Sequence, residues 1–159
     1  MRFKISAIIL SGLLLAACKK DNKPTLIEVT VQSSDHTALS NVSINLVSDQ
    51  HQLITSAASG GDGKIDYNVD AGKSYYLFHV AGDGKVITDL NGTYIITGTF
   101  TSQQQINNSP YQGANTKVGD NIYMDINGDG AITVQDKVKK VVAPSAGHTE
   151  SISIVLGVQ

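Results

Sequence analysis

Apolar and polar residues alternate with a period of two in several short segments of the chain. In 41–46 and in 64–69 every second residue is apolar. Side chains of a strand point to opposite faces in turn, so this period predicts strands with one buried face. The segment 74–80 is the most apolar, which favours a central position in a sheet. The predicted strands are 25–32, 41–48, 51–56, 64–69, 74–80, 94–100 and 150–156.

Glycine-rich polar turns separate these strands. Gly60–Gly63 reads Gly-Gly-Asp-Gly, and 81–84 reads Ala-Gly-Asp-Gly. Such sequences supply the positive φ angles that tight hairpins need. Short strands joined in this way predict an all-β fold, an antiparallel β-sandwich.

The order of strands and turns along 25–88 resembles that of a known family. Leu39–Leu46, Gly61–Tyr67 and Ala71–Leu77 match the successive strand and turn stations of carboxypeptidase-regulatory and Cna-B type domains. The resemblance implies a transthyretin-like or Ig-like β-sandwich. It implies almost nothing about activity, because function depends on sites rather than on folds.

The segment 125–136 has the composition of a calcium-binding loop. Calcium takes six to eight oxygen ligands on a flexible loop that turns sharply at a glycine in the sixth position, here Gly130. The predicted ligands, at positions 1, 3, 5, 7, 9 and 12, are Asp125, Asn127, Asp129, Ala131 through its carbonyl, Thr133 and Asp136. The alternative is a tight Asn-Gly-Asp-Gly turn with solvated acids.

Asp136 at the last position resembles the dockerin variant of the EF-hand loop, where the usual residue is glutamate. A dockerin has two such loops and this chain has one, so the docking function of a dockerin is not implied. The pattern Thr133-x-x-Asp136 predicts a helix start. The valines that follow at helical spacing predict a short helix over 133–142, so that the loop and helix form an insertion before the last strand.

The amino-terminal residues have the pattern of an export signal. Arg2 and Lys4 precede an apolar run that is too short for a permanent membrane span. The run ends in Leu-Ala-Ala-Cys18, which resembles the lipobox of bacterial lipoproteins. This implies a signal peptide at 1–17, lipidation of Cys18, a tether at 18–24 and a single domain at 25–159. Lys19 after the cysteine favours the outer membrane, with either side of it possible.

Composition excludes some classes of partner and chemistry. Arg2 is the only arginine, and the formal net charge is −2. Nucleic-acid recognition relies on arginine and on net positive charge, so no nucleic-acid partner is expected. The four histidines have no metal-ligand spacing, and no serine has a Gly-x-Ser-x-Gly setting. We therefore expect a protein that is not an enzyme.

These observations predict a non-catalytic outer-membrane lipoprotein whose calcium-stabilised sandwich binds an envelope protein or a glycan. The sheet edges and the loops with Tyr75 and Tyr111 are the candidate surfaces. The polar segment 101–117 is either a functional or a mobile loop.

Two alternatives remain open. One is a docking module that presents the exposed face of the helix, formed by Val134, Val138 and Val141. The other is a hydrolase with paired carboxylates such as Asp62 and Asp66.

Overall fold

Ten β-strands account for most of the regular structure in the computed structural model, which describes residues 23–79, 85–88, 92–110, 113 and 115–158. The strands are β1 Leu26–Ser33, β2 Ser43–Ser48, β3 Leu53–Ala58, β4 Lys64–Asn68, β5 Ser74–Phe78, β6 Lys85–Ile87, β7 Ile96–Thr99, β8 Asn121–Tyr123, β9 Lys139–Val142 and β10 Thr149–Val158. A short helix, α1, spans Gln103–Asn107, and one turn of 3-10 helix spans Val134–Asp136.

Two four-stranded sheets, with strand orders β4-β1-β10-β6 and β3-β2-β5-β9, form the sandwich. Alternate residues of each sheet point inward, so Val29 of β1 and Leu46 of β2 are fully buried in one shared core. The predicted all-β sandwich is therefore confirmed, as is the internal position of β5, between β2 and β9. The pairs in both sheets are antiparallel except one, because β1 and the final strand β10 run parallel from Leu26↔Thr149 to Ser33↔Leu156.

The predicted helix over 133–142 is wrong. Thr133 does cap a helical turn, and its side chain accepts the Gln135 N–H at 3.1 Å, but the turn ends after Asp136. Lys137 then returns to extended backbone, with φ −72° and ψ 141°. Residues 139–142 pair with β5 as β9, because valines favour strands and β5 offers an otherwise unpaired edge.

Because residues 139–142 form a strand, two further predictions are corrected: the position of the insertion and the docking module with an exposed helix face. The loop at 125–136 precedes β9, so it is inserted before the last two strands rather than before the last one. Val138 and Val141 are buried in the core, and only Val134 of the supposed docking face is exposed. A docking helix is therefore absent from residues 133–142.

β7 and β8 belong to a small third sheet, separate from the two main sheets. β7 and β8 pair as a two-stranded sheet, and Thr93 forms backbone hydrogen bonds with Val138 at 2.7 and 2.9 Å. The polar segment 101–117, predicted to be a loop, contains α1, whose Ser102 side chain accepts the Gln105 N–H and whose Ile106 is buried.

The predicted signal peptide, Cys18 and most of the tether lie outside the described residues. In the part of the chain that is described, no helix has the length and apolar character needed to cross a membrane.

Candidate functional site

The predicted metal loop begins with an aspartate whose carboxylate organises the backbone of the first six residues. The Asp125 Oδ1 accepts the Gly128 N–H at 2.7 Å, and its Oδ2 accepts the Gly130 N–H at 2.9 Å. Gly128 and Gly130 have φ angles of +72° and +86°, which residues with a Cβ rarely adopt. The sharp turn predicted at Gly130 is therefore present, and the carboxylate of Asp125 lies inside it.

The next two side chains extend this network by the same kind of local hydrogen bond. The Asn127 Oδ1 accepts the Asp129 N–H at 3.1 Å, and the Asp129 Oδ1 accepts the Ala131 N–H at 2.9 Å. The Asn127 amide also donates to Asp129 Oδ2 and to Gln135 Oε1, both at 2.8 Å. Gln135 was not predicted as a site residue, yet it joins the two halves of the loop.

Asp136 closes the loop from within. Its side chain is 0% exposed, its Oδ1 accepts the Ile126 N–H at 2.8 Å, and its Oδ2 accepts the Thr133 N–H at 2.7 Å. No lysine among the described residues forms an ion pair with it. A buried carboxylate is costly unless hydrogen bonds or a cation compensate its charge, and here two backbone N–H groups do so.

Tyr94 lies near this buried charge, and Tyr123 lies beside Tyr94. The rings of Tyr94 and Tyr123 are 5.3 Å apart at 50°, and Lys137 Nζ lies 5.9 Å from the centre of the Tyr94 ring. Burial raises the pKa of Tyr94, and the negative charge of Asp136 raises it further. Asp136 of the loop therefore interacts electrostatically with Tyr94.

The loop suits calcium in its donor chemistry. Its candidate ligands are all oxygens, from three carboxylates, one amide, one carbonyl and one hydroxyl, which is the set that a hard cation prefers. No three His, Cys, Asp or Glu side chains among the described residues lie together as a metal-binding group. The acids of the loop each accept backbone hydrogen bonds instead, and calcium binding stays a prediction.

A cavity of about 400 Å³ adjoins the loop. Its polar lining includes Asp120 and Asn121, and its aromatic lining includes Phe100 and Tyr123. The remaining lining residues are Thr116, Gly119, Ile122 and Ile132. Ile132 belongs to the loop itself, so the loop forms part of the cavity wall. The sequence did not indicate this cavity, because its lining comes from three separate segments, at Phe100, 116–123 and Ile132.

Other candidates from the sequence have structural roles or lie elsewhere. Tyr75 is only 4% exposed and its Oη accepts the Asp70 N–H at 3.0 Å, but it lines a cavity of about 420 Å³ with Leu53 and Ile54, so a binding surface there stays a prediction. Tyr111 lies outside the described residues. His79 is buried with its Nδ1 2.9 Å from the Ser43 carbonyl oxygen, as predicted for a core histidine. Asp62 caps an exposed turn by accepting the Lys64 N–H at 3.1 Å.

Comparison with known proteins gives only distant similarities. No family model and no curated protein matches the chain. One similar solved structure is BcpA, the major pilin subunit of Bacillus cereus, with 14% identity and a TM-score of 0.44 over 86% of this chain and 31% of that one. Another is a streptococcal ancillary pilin, with 13% identity and a TM-score of 0.47 over 86% of this chain and 33% of that one. This chain spans about one third of each, and at these scores neither likeness carries an argument about function.

Proposed function

We propose that this protein is a non-catalytic β-sandwich that binds a carbohydrate in the cavity beside the loop 125–136. Calcium bound to that loop would stabilise the site, and lipid on Cys18 would hold the protein at the outer membrane. The observation that carries the proposal is the shared wall: Ile132 lies within the candidate calcium loop and lines the same cavity as Tyr123 and Asp120.

The lining of the cavity suits a sugar. A sugar ring has an apolar face of C–H groups and a rim of hydroxyls, so it needs an aromatic surface together with polar acceptors and donors. Tyr123, which is partly exposed, supplies the aromatic surface beside the buried Phe100, and Asp120 and Asn121 supply the polar groups. A volume of about 400 Å³ lies within the range of small-ligand sites.

A binding role fits this cavity better than hydrolysis. Glycoside hydrolysis generally uses two carboxylates that flank the scissile bond. Among the described residues that line the cavity, Asp120 is the only carboxylate, and its Oδ2 already accepts the Lys117 N–H at 2.8 Å. The geometry therefore supports recognition of the sugar without cleavage.

Calcium would supply a fixed positive charge that the loop lacks. Asp125, Asn127, Asp129, Ala131 and Thr133 would hold it, with Asp136 at the closing position. Ion binding would oppose the mutual repulsion of Asp125 and Asp129 and hold the backbone around Ile132. The cavity wall would then be ordered by the ion, so carbohydrate affinity should depend on calcium.

Membrane attachment rests on the lipobox-like sequence that ends at Cys18. Several acyl chains on this residue would anchor the protein stably, whereas one chain holds a protein only marginally. Cell fractionation tests this part of the proposal. The native chain should be found with the outer membrane, and Cys18→Ala should abolish both lipid labelling and membrane attachment. An unlabelled native chain would contradict it.

The binding proposal is tested with an oligosaccharide array, in calcium and in EGTA, followed by titration calorimetry on any hit. Tyr123→Ala should weaken binding about tenfold or more, since it removes an aromatic wall. Tyr76→Ala is the matched control, because Tyr76 is half-buried, lies 6.0 Å from Lys140 Nζ and is not among the residues lining the cavity. Absence of any hit, or a hit that is insensitive to both Tyr123→Ala and EGTA, would contradict the proposal.

A further inference from the structure

The four outer strands of the two main sheets differ in how they are protected. An unpaired sheet edge offers free backbone N–H and C=O groups to any other strand, and charged residues along it normally discourage pairing. β4 carries Lys64 and Asp66, and β6 is only three residues long and carries Lys85. β9 carries Lys139 and Lys140.

β3 is the exception among these edges. Its sequence, Leu-Ile-Thr-Ser-Ala-Ala, contains no charged residue and no proline over six residues. A register shift against Leu46 and Val47 leaves Ile54 as an extra residue, so the uninterrupted part of the edge begins at Thr55. It pairs with β2 on one side, and no other described segment forms backbone hydrogen bonds with its other side. Leu53 and Ile54 are 63% and 49% exposed, which is unusual for two adjacent large apolar residues.

The opposite sheet also leaves β3 uncovered. Thr55 lies directly across from Leu46, whose side chain is fully buried in the core. Thr55 is nevertheless exposed, as are four of the five other residues of β3, with Ala57 partly buried. Most of the strand is therefore exposed to solvent, although Ile54 lines a cavity with Asn68 and Tyr75, and a second strand has room to approach its edge.

We propose that β3 is a self-association edge and pairs antiparallel with β3 of a second copy of this chain. Such a contact uses the same surface on both subunits around a two-fold axis, near Thr55 and Ser56. It would extend the sheet β3-β2-β5-β9 into a continuous eight-stranded sheet across the two copies.

The composition of β3 is what favours a second copy as the partner. Antiparallel pairing places Leu53 and Ile54 of one strand beside the small residues near Ala57 of the other, so large side chains lie against small ones. The strand has no charge, and so the pairing of two identical strands brings no like charges together. Self-pairing of β4 or β9 would instead bring charged residues into proximity.

The test is sedimentation equilibrium of the full-length protein in density-matched detergent, at concentrations up to about 1 mM. Ile54→Lys and Thr55→Lys each place a charge on the edge at an exposed position, so folding should be retained. Val142→Lys is the matched control, because Val142 is 56% exposed on the edge strand β9. Hydrogen exchange over 53–58 at low and high concentration reports whether the edge itself is covered.

We expect a concentration-dependent dimer, slower exchange of the β3 amides in that dimer, and dissociation constants raised at least ~10-fold by both β3 variants but not by Val142→Lys. A native chain that stays monomeric over the whole range would overturn the proposal. A dimer that persists in Ile54→Lys and Thr55→Lys, or one without added protection in β3, would also overturn it, since the contact would then lie on another surface.

Discussion

The side chain of Asp136 joins the end of the loop to its beginning, because its Oδ1 accepts the backbone N–H of Ile126, ten residues earlier, at 2.8 Å. Its other oxygen accepts the Thr133 N–H. Asp136 thus has a structural role that does not require an ion. Mutation can separate this role from those of Asp125, which is partly buried, and Asp129, which is exposed.

Asp136→Asn should destabilise the protein even when calcium is absent. Asparagine has only one acceptor oxygen. Its NH2 group would face one of the two backbone N–H groups, and two donors cannot form a hydrogen bond with each other. Loss of a buried hydrogen bond to a charged acceptor costs about 1.5–3 kcal/mol. Urea unfolding in EGTA measures this, with Asp62→Asn in an exposed turn as the control. Equal stability of the two variants would contradict the structural role.

Substitution of two valines after the loop, Val138 and Val142, tests whether this segment is a strand or a helix. Val138 is fully buried and Val142 is 56% exposed, so Val138→Ala should cost about 2 kcal/mol. Val142→Ala should stay within about 0.5 kcal/mol of the native stability. Urea unfolding of the two variants distinguishes strand from helix. In a helix with both valines on one face, the two substitutions would lower the free energy of unfolding by similar amounts.

Gly63 is predicted to be the least replaceable of three turn glycines. A Cβ on it would lie 2.6 Å from the Val31 carbonyl oxygen, and its φ is +76°. Gly72 has a similar φ of +72° with no atom within 4 Å of a Cβ, and Gly61 has neither constraint. Gly72→Ala should cost about 1–2 kcal/mol through its backbone conformation alone.

Gly63→Ala should cost clearly more than Gly72→Ala, and Gly61→Ala should be nearly neutral. Thermal unfolding of the three variants gives the order. Equal midpoints for Gly63→Ala and Gly72→Ala would show that the close approach of Val31 has no energetic consequence.

Tyr67 should make the stability of the sandwich depend on alkaline pH. Its hydroxyl donates to the Ile44 carbonyl oxygen at 2.7 Å, and burial raises the pKa of Tyr67 from 10.0 to about 12. The folded protein therefore keeps the phenolic proton at a pH where the unfolded chain has lost it. This contribution to stability is complete below pH 10 and is lost as the pH rises towards 12.

Tyr67→Phe removes both effects. At pH 7 the variant should be less stable by about 1 kcal/mol, the usual contribution of one hydrogen bond. Between pH 10 and 12 the native protein should lose this advantage, so the two unfolding curves converge or cross. A constant difference over that range would contradict the assigned pKa shift.

The strands that the sequence predicted best are those whose pattern is local. In 41–46 and 64–69 the alternation of apolar residues directly marks the buried faces of β2 and β4, where Ile44 and Ile65 lie inward. The pattern was misleading where the chain depends on distant partners. In β7 a register shift between Ile96 and Gly98 breaks the alternation, and Ile95 is buried while Ile96 is exposed.

The candidate site was likewise predicted only where its residues are close together in the sequence. Local sequence indicates the turn at Gly130 and the oxygens of the loop, because spacing along twelve residues determines them. It does not indicate that Phe100, Tyr123 and Ile132 meet at one cavity, because β7, β8 and the loop come together only through the folded sheet. The helix predicted over 133–142 was wrong for a similar reason. Pairing of residues 139–142 with β5 determines the conformation of that segment.

The most direct test of the account is a calcium titration of the native protein by isothermal calorimetry, with unfolding midpoints measured in calcium and in EGTA. Asp125→Asn should abolish binding and the calcium-dependent rise in midpoint, whereas Asp62→Asn, in a Gly-Asp-Gly turn outside the loop, should leave both unchanged. One ion per chain, with this pattern of loss, is the predicted result. A native protein that takes up no calcium and has the same midpoint in EGTA would contradict the account, and the loop would then be a turn held by its own hydrogen bonds.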